Sequence, residues 1–408
     1  MTLLDIERPV ASEDAYTLVL RVARALSIQI HQPPPRNIEP RRSYVVPTVL
    51  LREGKTVARA TGKGTGIQAW TSGAFEAFEH AAAGYQLPEQ TIERRSSVLT
   101  DDHLAATDLR YRYARKVRGI APQHTVAFEE LGGRGTVDYP RLACDFGYQM
   151  VESENDLLYL DRTCTTKGYA SGVSRADAEL HAINELVEYD AFSHYLLSPL
   201  DDRYGVEEVV MDTDDTAALI EQLWAEGARR VAVYKLPSET ATVILCWAES
   251  IGGVPVPGIG CSEHPRVAAL RAITEAHQEL AAEARGITFE NEGGMPLSNL
   301  DRFPQMAALA VPSRVEASSG VRLTELEGLA AQQPAGLIVT LRQRGYRVFS
   351  RVVWQIDADT GLGVSVVQVL IPGLERFADL VFGRPVVPTG RLHTPDLVRR
   401  LTRRDIRD

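Results

Sequence analysis

The 408-residue chain has no apolar run of the roughly 18–20 residues that a membrane-spanning helix requires,. Cysteine is scarce: only Cys144, Cys164, Cys246 and Cys261 occur. They form no CxxC pair and no Cys/His set has zinc spacing, so a zinc-stapled fold is excluded. Cys246, within the apolar "ATVILCWAES", reads as a buried strand residue. The N-terminal "MTLLDIERPVASEDAY" lacks the charged-then-apolar order of a signal peptide,. With its thiols taken as reduced, the expected location is cytoplasmic. Positive charge is in deficit, with a net charge of −10, so neither nucleic acid nor an anionic membrane is an expected partner,. Standard nucleotide and catalytic motifs are missing too. "GKT" at Gly54–Thr56 is no P-loop, because the first glycine of that motif would fall on Val49,. There is no HExxH, no kinase HRD or DFG set and no GxSxG elbow. No fixed-period repeat is found.

What is present fits a folded protein: 44% hydrophobic and 24% charged residues over a length that can bury a large core,. Residues 13–30 are expected to open the chain as a helix, broken by the proline-rich connector "HQPPPRNIEPRR",. "SYVVPTVLLREGKTVARATGKG" reads as two strands about a turn at Glu53–Lys55,. A helix follows over about 66–84. "DLRYRYARKVRG" is expected to be helical, and "LLYLDRTCTTKGYASGVS" a strand running into a glycine-containing loop. A second long helix is expected at about 174–197. Then come the amphipathic helix "DDTAALIEQLWAEG", strands "RRVAVYKLP" and "ATVILCWAES", and the long helix "HPRVAALRAITEAHQELAAEARG" with Pro265 near its start and Gly286 after its end,. The C-terminal part adds a helix within "GLAAQQPAGLIVTLRQRG", strands "YRVFSRVV" and "GVSVVQVLI", and an end segment "RRLTRRDIRD" read as solvated. This order predicts an α+β fold of layered mixed sheets with packed helices.

The chemistry lies on the helices. At 3.6 residues per turn, Ser72, Glu76 and Glu79 share a face, as do Asp177, Glu185 and Glu188, and Arg271, Glu275 and Gln278,. Like charges at these spacings repel, and here they sit among Ala and Phe in "AFEAFEHAAAGY" and among apolar residues in "AELHAINELVEYDAF". Carboxylates in such surroundings need a partner or an ion. Magnesium suits, since it favours carboxylate oxygens and retains phosphate and water ligands. The segments "TGKGTG" at 61–66 and "TTKGYASG" at 165–172 read as glycine loops before helix N-termini, where backbone N–H groups can hold phosphate oxygens,. Each carries one lysine, Lys63 or Lys167.

In order and spacing these blocks resemble the YcaO superfamily. The family pattern is a GKG loop, then Ser, Glu four on, Glu three further and Arg; here Lys63, Ser72, Glu76 and Glu79 fit, and His80 stands in the arginine position. The next block fits with "GYASG", Asp177, Glu185 and Glu188, Tyr189 replacing arginine before Asp190 and Ala191. The third block is Glu275 and Gln278; Leu280 stands where an arginine often follows, and Arg285 is the nearest later one. "IPGLERF…GRP" at 371–385 is similar to the family's closing proline-and-arginine segment.

The resemblance implies a YcaO-type fold with an ATP cleft between helices, occupying 46–390, after an N-terminal helix and connector at 1–45 and before a C-terminal segment at 391–408. It implies ATP and Mg2+ as cofactors, with Lys63, Ser72, Glu76, Asp177, Arg271, Glu275 and Gln278 binding ATP and Glu79, Glu185 and Glu188 binding metal. It implies an enzyme that phosphorylates a backbone amide oxygen of a ribosomally made precursor peptide, giving an azoline, thioamide or amidine. The alternatives are a non-catalytic ATP-binding scaffold, or action on another amide. The chain's last residues lack the proline-alternating tail of many azoline-forming members. No precursor-binding domain is fused, so a separate accessory protein is expected; a homodimer is expected as well.

Overall fold

The computed structural model describes residues 7, 9–88, 90, 95–200, 205–286, 296–314, 317, 319–331, 336–357 and 362–403. The opening helix, Ser12–Ala25, is shorter than expected. Ser27 takes a positive φ of 56°, which turns the chain, and Ile28–His31 pairs as an edge strand, antiparallel to Ser43–Arg52. Ser43–Arg52 and Lys55–Thr65 complete this three-stranded sheet about the turn at Glu53 and Gly54. Two further sheets lie among the described residues. One runs Pro255–Ser262, Thr242–Ser250, Ala228–Leu236, Glu207–Val210, Gly320–Arg322 in spatial order. The other runs Arg95–Ser97, Gln123–Glu130, Phe349–Asp357, Gly363–Leu370, Tyr169–Gly172, with Thr136–Pro140 added beside Gln123–Glu130. This is the layered α+β architecture that the element order predicts.

Each sheet ends a strand that leads into one long helix lying on it. Lys55–Thr65 leads into Gln68–Ala83, Tyr169–Gly172 into Arg175–Leu197, and Pro255–Ser262 into Pro265–Ala284; these are the first, second and third cleft helices. Gly62, Gly64 and Gly172 are therefore strand residues, while Gly66 and Gly168 turn the chain beside the strands at φ of 58° and 90°, which corrects the expected phosphate-binding loops. The purpose of the strand glycines is close approach of helix to strand. A Cβ on Gly62 would lie 2.0 Å from the Ala69 carbonyl oxygen and 2.4 Å from Gly73 N, and one on Gly258 would lie 2.1 Å from Ala276 N. The device recurs in all three units without any sequence period, so it escapes a search for repeats.

"LLYLDRTC" also departs from expectation: Glu152–Leu157 is a 3-10 turn and Leu158–Arg162 a short helix, and the strand begins only at Tyr169. Leu157 and Leu160, both fully buried, pack under Gln123–Glu130, a spacing of three that suits a helix better than a pleat,. Leu109–Arg118 is helical as expected, capped by Asp108 accepting from Arg110 N and Tyr111 N,. Asp214–Ala225 ends just before Gly227, whose φ is 110°. The late helix resolves into Leu323–Ala330 and Leu337–Gln343, with 332–335 outside the described residues. The end segment is only partly solvated. Pro395–Thr402 is a helix that buries Leu401 completely in the largest core cluster, and 404–408 lie outside the described residues.

Candidate ATP and magnesium cleft

The three cleft helices turn their polar faces into one cavity of about 370 Å³, within the usual range for small-ligand sites,. All ten residues singled out from the sequence line it: Lys63, Ser72, Glu76, Glu79, Asp177, Glu185, Glu188, Arg271, Glu275 and Gln278. The opposite helix faces explain the placement. Phe78, Ala82, Ile183, Val187, Ile273 and Ala276 are buried in the core, so the carboxylates between them point the other way,.

The electrostatics are those of crowded acids. Burial pushes the Glu79 carboxyl well above the ordinary carboxylate range, and the nearby charges of Glu185 and Glu76 push it further,. Burial and then Glu275 do the same to Glu188. Burial raises Glu76 too, opposed by His80 and Lys63. Two lysines partly compensate. Lys63 Nζ sits 2.8 Å from Glu275 Oε1, and Lys167 Nζ sits 2.9 Å from Glu185 Oε1. Burial disfavours both ammonium charges, but the carboxylates outweigh it and both lysines are held above their ordinary value. Backbone donors fix the paired glutamates: Gly168 N donates to Glu185 Oε2 at 3.0 Å, and Ile259 N to Glu275 Oε2 at 2.9 Å. Gln278 Nε2 donates to the Thr61 carbonyl at 3.3 Å. Asp177 Oδ2 accepts from Val173 N at 2.9 Å, tying the strand end to the start of the second cleft helix.

The remaining cation is committed as well. Arg271 donates to the Cys261 carbonyl at 2.6 Å and pairs with Glu7 Oε2 at 3.0 Å. Among the described residues, no three His, Cys, Asp or Glu side chains stand ready as a metal-binding group. Glu185 is turned toward Lys167 and Gly168, and Glu275 toward Lys63 and Ile259. The donor set nevertheless fits Mg2+. Hard carboxylate oxygens of Glu76, Glu79, Glu185 and Glu188 face one cavity, and their mutual repulsion is the conflict that a divalent cation relieves.

The two residues in arginine positions lie outside the cavity lining. His80 Nδ1 lies 2.7 Å from the Arg59 carbonyl, and its Nε2 4.0 Å from Glu76 Oε1. Tyr189 is only 6% exposed and belongs to the core. Leu280 is core, and Arg285 is exposed at the end of the third cleft helix, outside the lining. Asn184, 3% exposed, lines the cavity and was missed. It was findable, being one turn before Glu188 on the same face. Cys261 also lines the cavity, and burial pushes its thiol well up, so it is a poor nucleophile there,.

A family model described as YcaO cyclodehydratase, ATP- and Mg2+-binding, matches residues 61–375. An uncharacterised protein of Methanothermobacter thermautotrophicus is 28% identical over 347 residues, covering 80% of this chain and 84% of that protein. The structure of YcaO from Methanopyrus kandleri bound with AMPPCP and Mg2+ is similar at a TM-score of 0.64 and 22% identity, covering 95% of this chain and 97% of that one. A chain of the E. coli microcin synthetase McbBCD complex is similar at a TM-score of 0.60 and 13% identity, covering 85% and 88%.

Proposed function

This chain belongs to the YcaO family, and from that premise we propose that it uses ATP and Mg2+ to phosphorylate a backbone amide oxygen of a ribosomally made precursor peptide. The observation that carries the reading is the convergence of Glu76, Glu79, Glu185 and Glu188, with Lys63 and Lys167, on one cavity. Glu79, Glu185 and Glu188 are the proposed metal ligands. Bound Mg2+ would neutralise charge on the ATP phosphates. Lys63, Ser72, Glu76, Asp177, Arg271, Glu275 and Gln278 are proposed to hold the nucleotide.

In the proposed reaction a nucleophile adds to the amide carbonyl. The resulting oxyanion takes the γ-phosphoryl group of ATP, giving ADP, and phosphate then departs from carbon. Oxide, a poor leaving group, thereby becomes a good one. Cys261 is held as a neutral thiol, which supports a nucleophile from the peptide or a second substrate over one from this cavity wall,. A side-chain nucleophile of the peptide yields an azoline, sulfide a thioamide and an amine an amidine. The cavity's carboxylates would disfavour an anionic peptide and favour a neutral or cationic one. By analogy with the McbBCD complex, a separate partner protein and the peptide complete the assembly, and a homodimer is part of the proposal.

The test is incubation with a precursor peptide encoded beside the gene, ATP and Mg2+, read by mass spectrometry and ADP release. ATP-dependent loss of water, oxygen-to-sulfur exchange, or amidine formation supports the reading. Intact peptide and intact ATP with the partner protein present count against it.

A further inference from the structure

Three arginines gather behind the segment that carries Lys167. Arg376 Nη2 donates to Thr165 Oγ1 at 2.5 Å, and Arg384 Nη1 donates to the Cys164 carbonyl at 3.2 Å. Arg110, 4% exposed, donates to the Ala143 carbonyl at 2.9 Å, with Asp108 Oδ2 3.9 Å away. The Nε atoms of all three are buried without a hydrogen-bond partner. Neither Arg376 nor Arg384 has a carboxylate at ion-pair distance among the described residues. Asp379, 2% exposed, is the acid whose charge they feel: burial raises its carboxyl, and Arg376, Arg384, Arg110 and Lys167 pull it back.

The cleft cations behave differently. Lys63, Lys167 and Arg271 each hold a carboxylate at 2.8, 2.9 and 3.0 Å. The arginine group instead sets three guanidinium charges against Asp108 and Asp379. Burial and the neighbouring Arg110 hold Arg376 below the ordinary guanidinium value, as expected for a cation short of an anion,. A half-buried guanidinium with an orphaned N–H is costly unless a ligand completes it. The group also adjoins the cleft. Lys167, two residues after Thr165, lines the cavity, and so does Phe382, two residues before Arg384.

We infer that Arg376 and Arg384, with the Thr165 hydroxyl, form an oxoanion subsite beside the glutamate cleft that takes a phosphoryl or carboxylate group. Guanidinium forks match the paired oxygens of either group. Thr165 Oγ1 accepts from Arg376 and keeps its own proton to donate. The inference rests on the proposed function only for the source of the oxoanion: phosphate leaving the activated amide, or a carboxylate of the peptide.

Titration calorimetry of the full-length protein tests it, using sodium phosphate and sodium acetate without nucleotide at matched ionic strength. Saturable binding of phosphate assigns the phosphoryl source, and saturable binding of acetate in preference to phosphate assigns the carboxylate source. Arg376→Met, Arg384→Met and the milder Thr165→Val should each weaken the bound anion, the arginine changes by about tenfold or more. Binding of neither anion by the wild-type protein overturns the inference, whatever the variants do. So does unchanged binding in folded Arg384→Met and Thr165→Val. A parallel titration with ATP and Mg2+ separates the two readings. ATP binding kept while anion binding is lost supports a distinct subsite; phosphate bound with no ATP bound sinks the cleft reading and leaves the subsite standing.

Discussion

Lys167 Nζ lies 4.5 Å from the centroid of the Tyr189 ring while holding Glu185 at 2.9 Å. Tyr189 occupies the position where relatives carry arginine, yet its side chain goes to the core and serves as a platform for a lysine from the segment that precedes the strand Tyr169–Gly172. A cation–π contact of this kind stabilises by about 0.5–2 kcal/mol. The positive charge beside Glu185 is thus retained, delivered from the segment before the helix.

Restoring the family residue should consequently fail. Tyr189→Arg buries a guanidinium beside Lys167 and should destabilise the fold by about 3–5 kcal/mol, measured by urea denaturation. Tyr189→Phe keeps the ring and should cost about 1 kcal/mol or less. An arginine variant as stable as wild type would show that the side chain can swing into the cleft.

Glu188→Gln should cut ATP turnover by orders of magnitude while the fold survives. Glu79→Gln should also raise the melting temperature of the metal-free protein, because it removes one of several repelling acids. The same change should reduce the stabilisation gained on adding Mg2+. Turnover by Glu188→Gln at the wild-type rate would remove that residue from the assignment.

Stability of the metal-free protein should fall as pH rises toward neutrality. Asp190 and Glu375, both pushed up by burial to about 7, and Glu79 and Glu188, pushed well above the ordinary range, hold protons in the folded state that the unfolded chain has lost. The folded state binds more protons between the ordinary carboxylate range and about 7, so their contribution is complete below that window and lost through it,. Thermal melts from pH 5 to 8 check the sign, and Mg2+ should flatten the profile at its upper end. A metal-free protein that gains stability across that window would contradict the assignment.

Gly62→Ala should destabilise by about 1–3 kcal/mol or more, since its Cβ meets the backbone of the first cleft helix at 2.0 Å,. If the glycine instead served phosphate, the variant would melt normally and lose only ATP affinity. Differential scanning calorimetry beside an ATP titration separates the two.

Lys63→Ala should weaken ATP affinity and leave Glu275 without its partner, adding an unpaired acid to the cleft. An ATP titration reads the first effect and a urea denaturation of the variant the second.

The sequence by itself determined the three helices, the faces their carboxylates share and hence the cleft, because helical period is local and the apolar residues between the acids leave them one direction to point. Capping at Asp108, Pro265 at a helix start and the glycines at helix ends are equally local. What only the tertiary structure decided is where the charges close. The pairing of Lys63 with Glu275 spans 212 residues, and that of Arg347 with Glu130 spans 217. No spacing rule reaches that far. The "GKG" and "GYASG" segments read locally as loops, since glycine is poor in strands. Packing overrides that propensity, because only glycine lets each helix lie so close on its strand. Tyr189 and Leu280 went to the core for the same reason: their positions on the helices are fixed by sequence, but which neighbour covers them is fixed by the sheets.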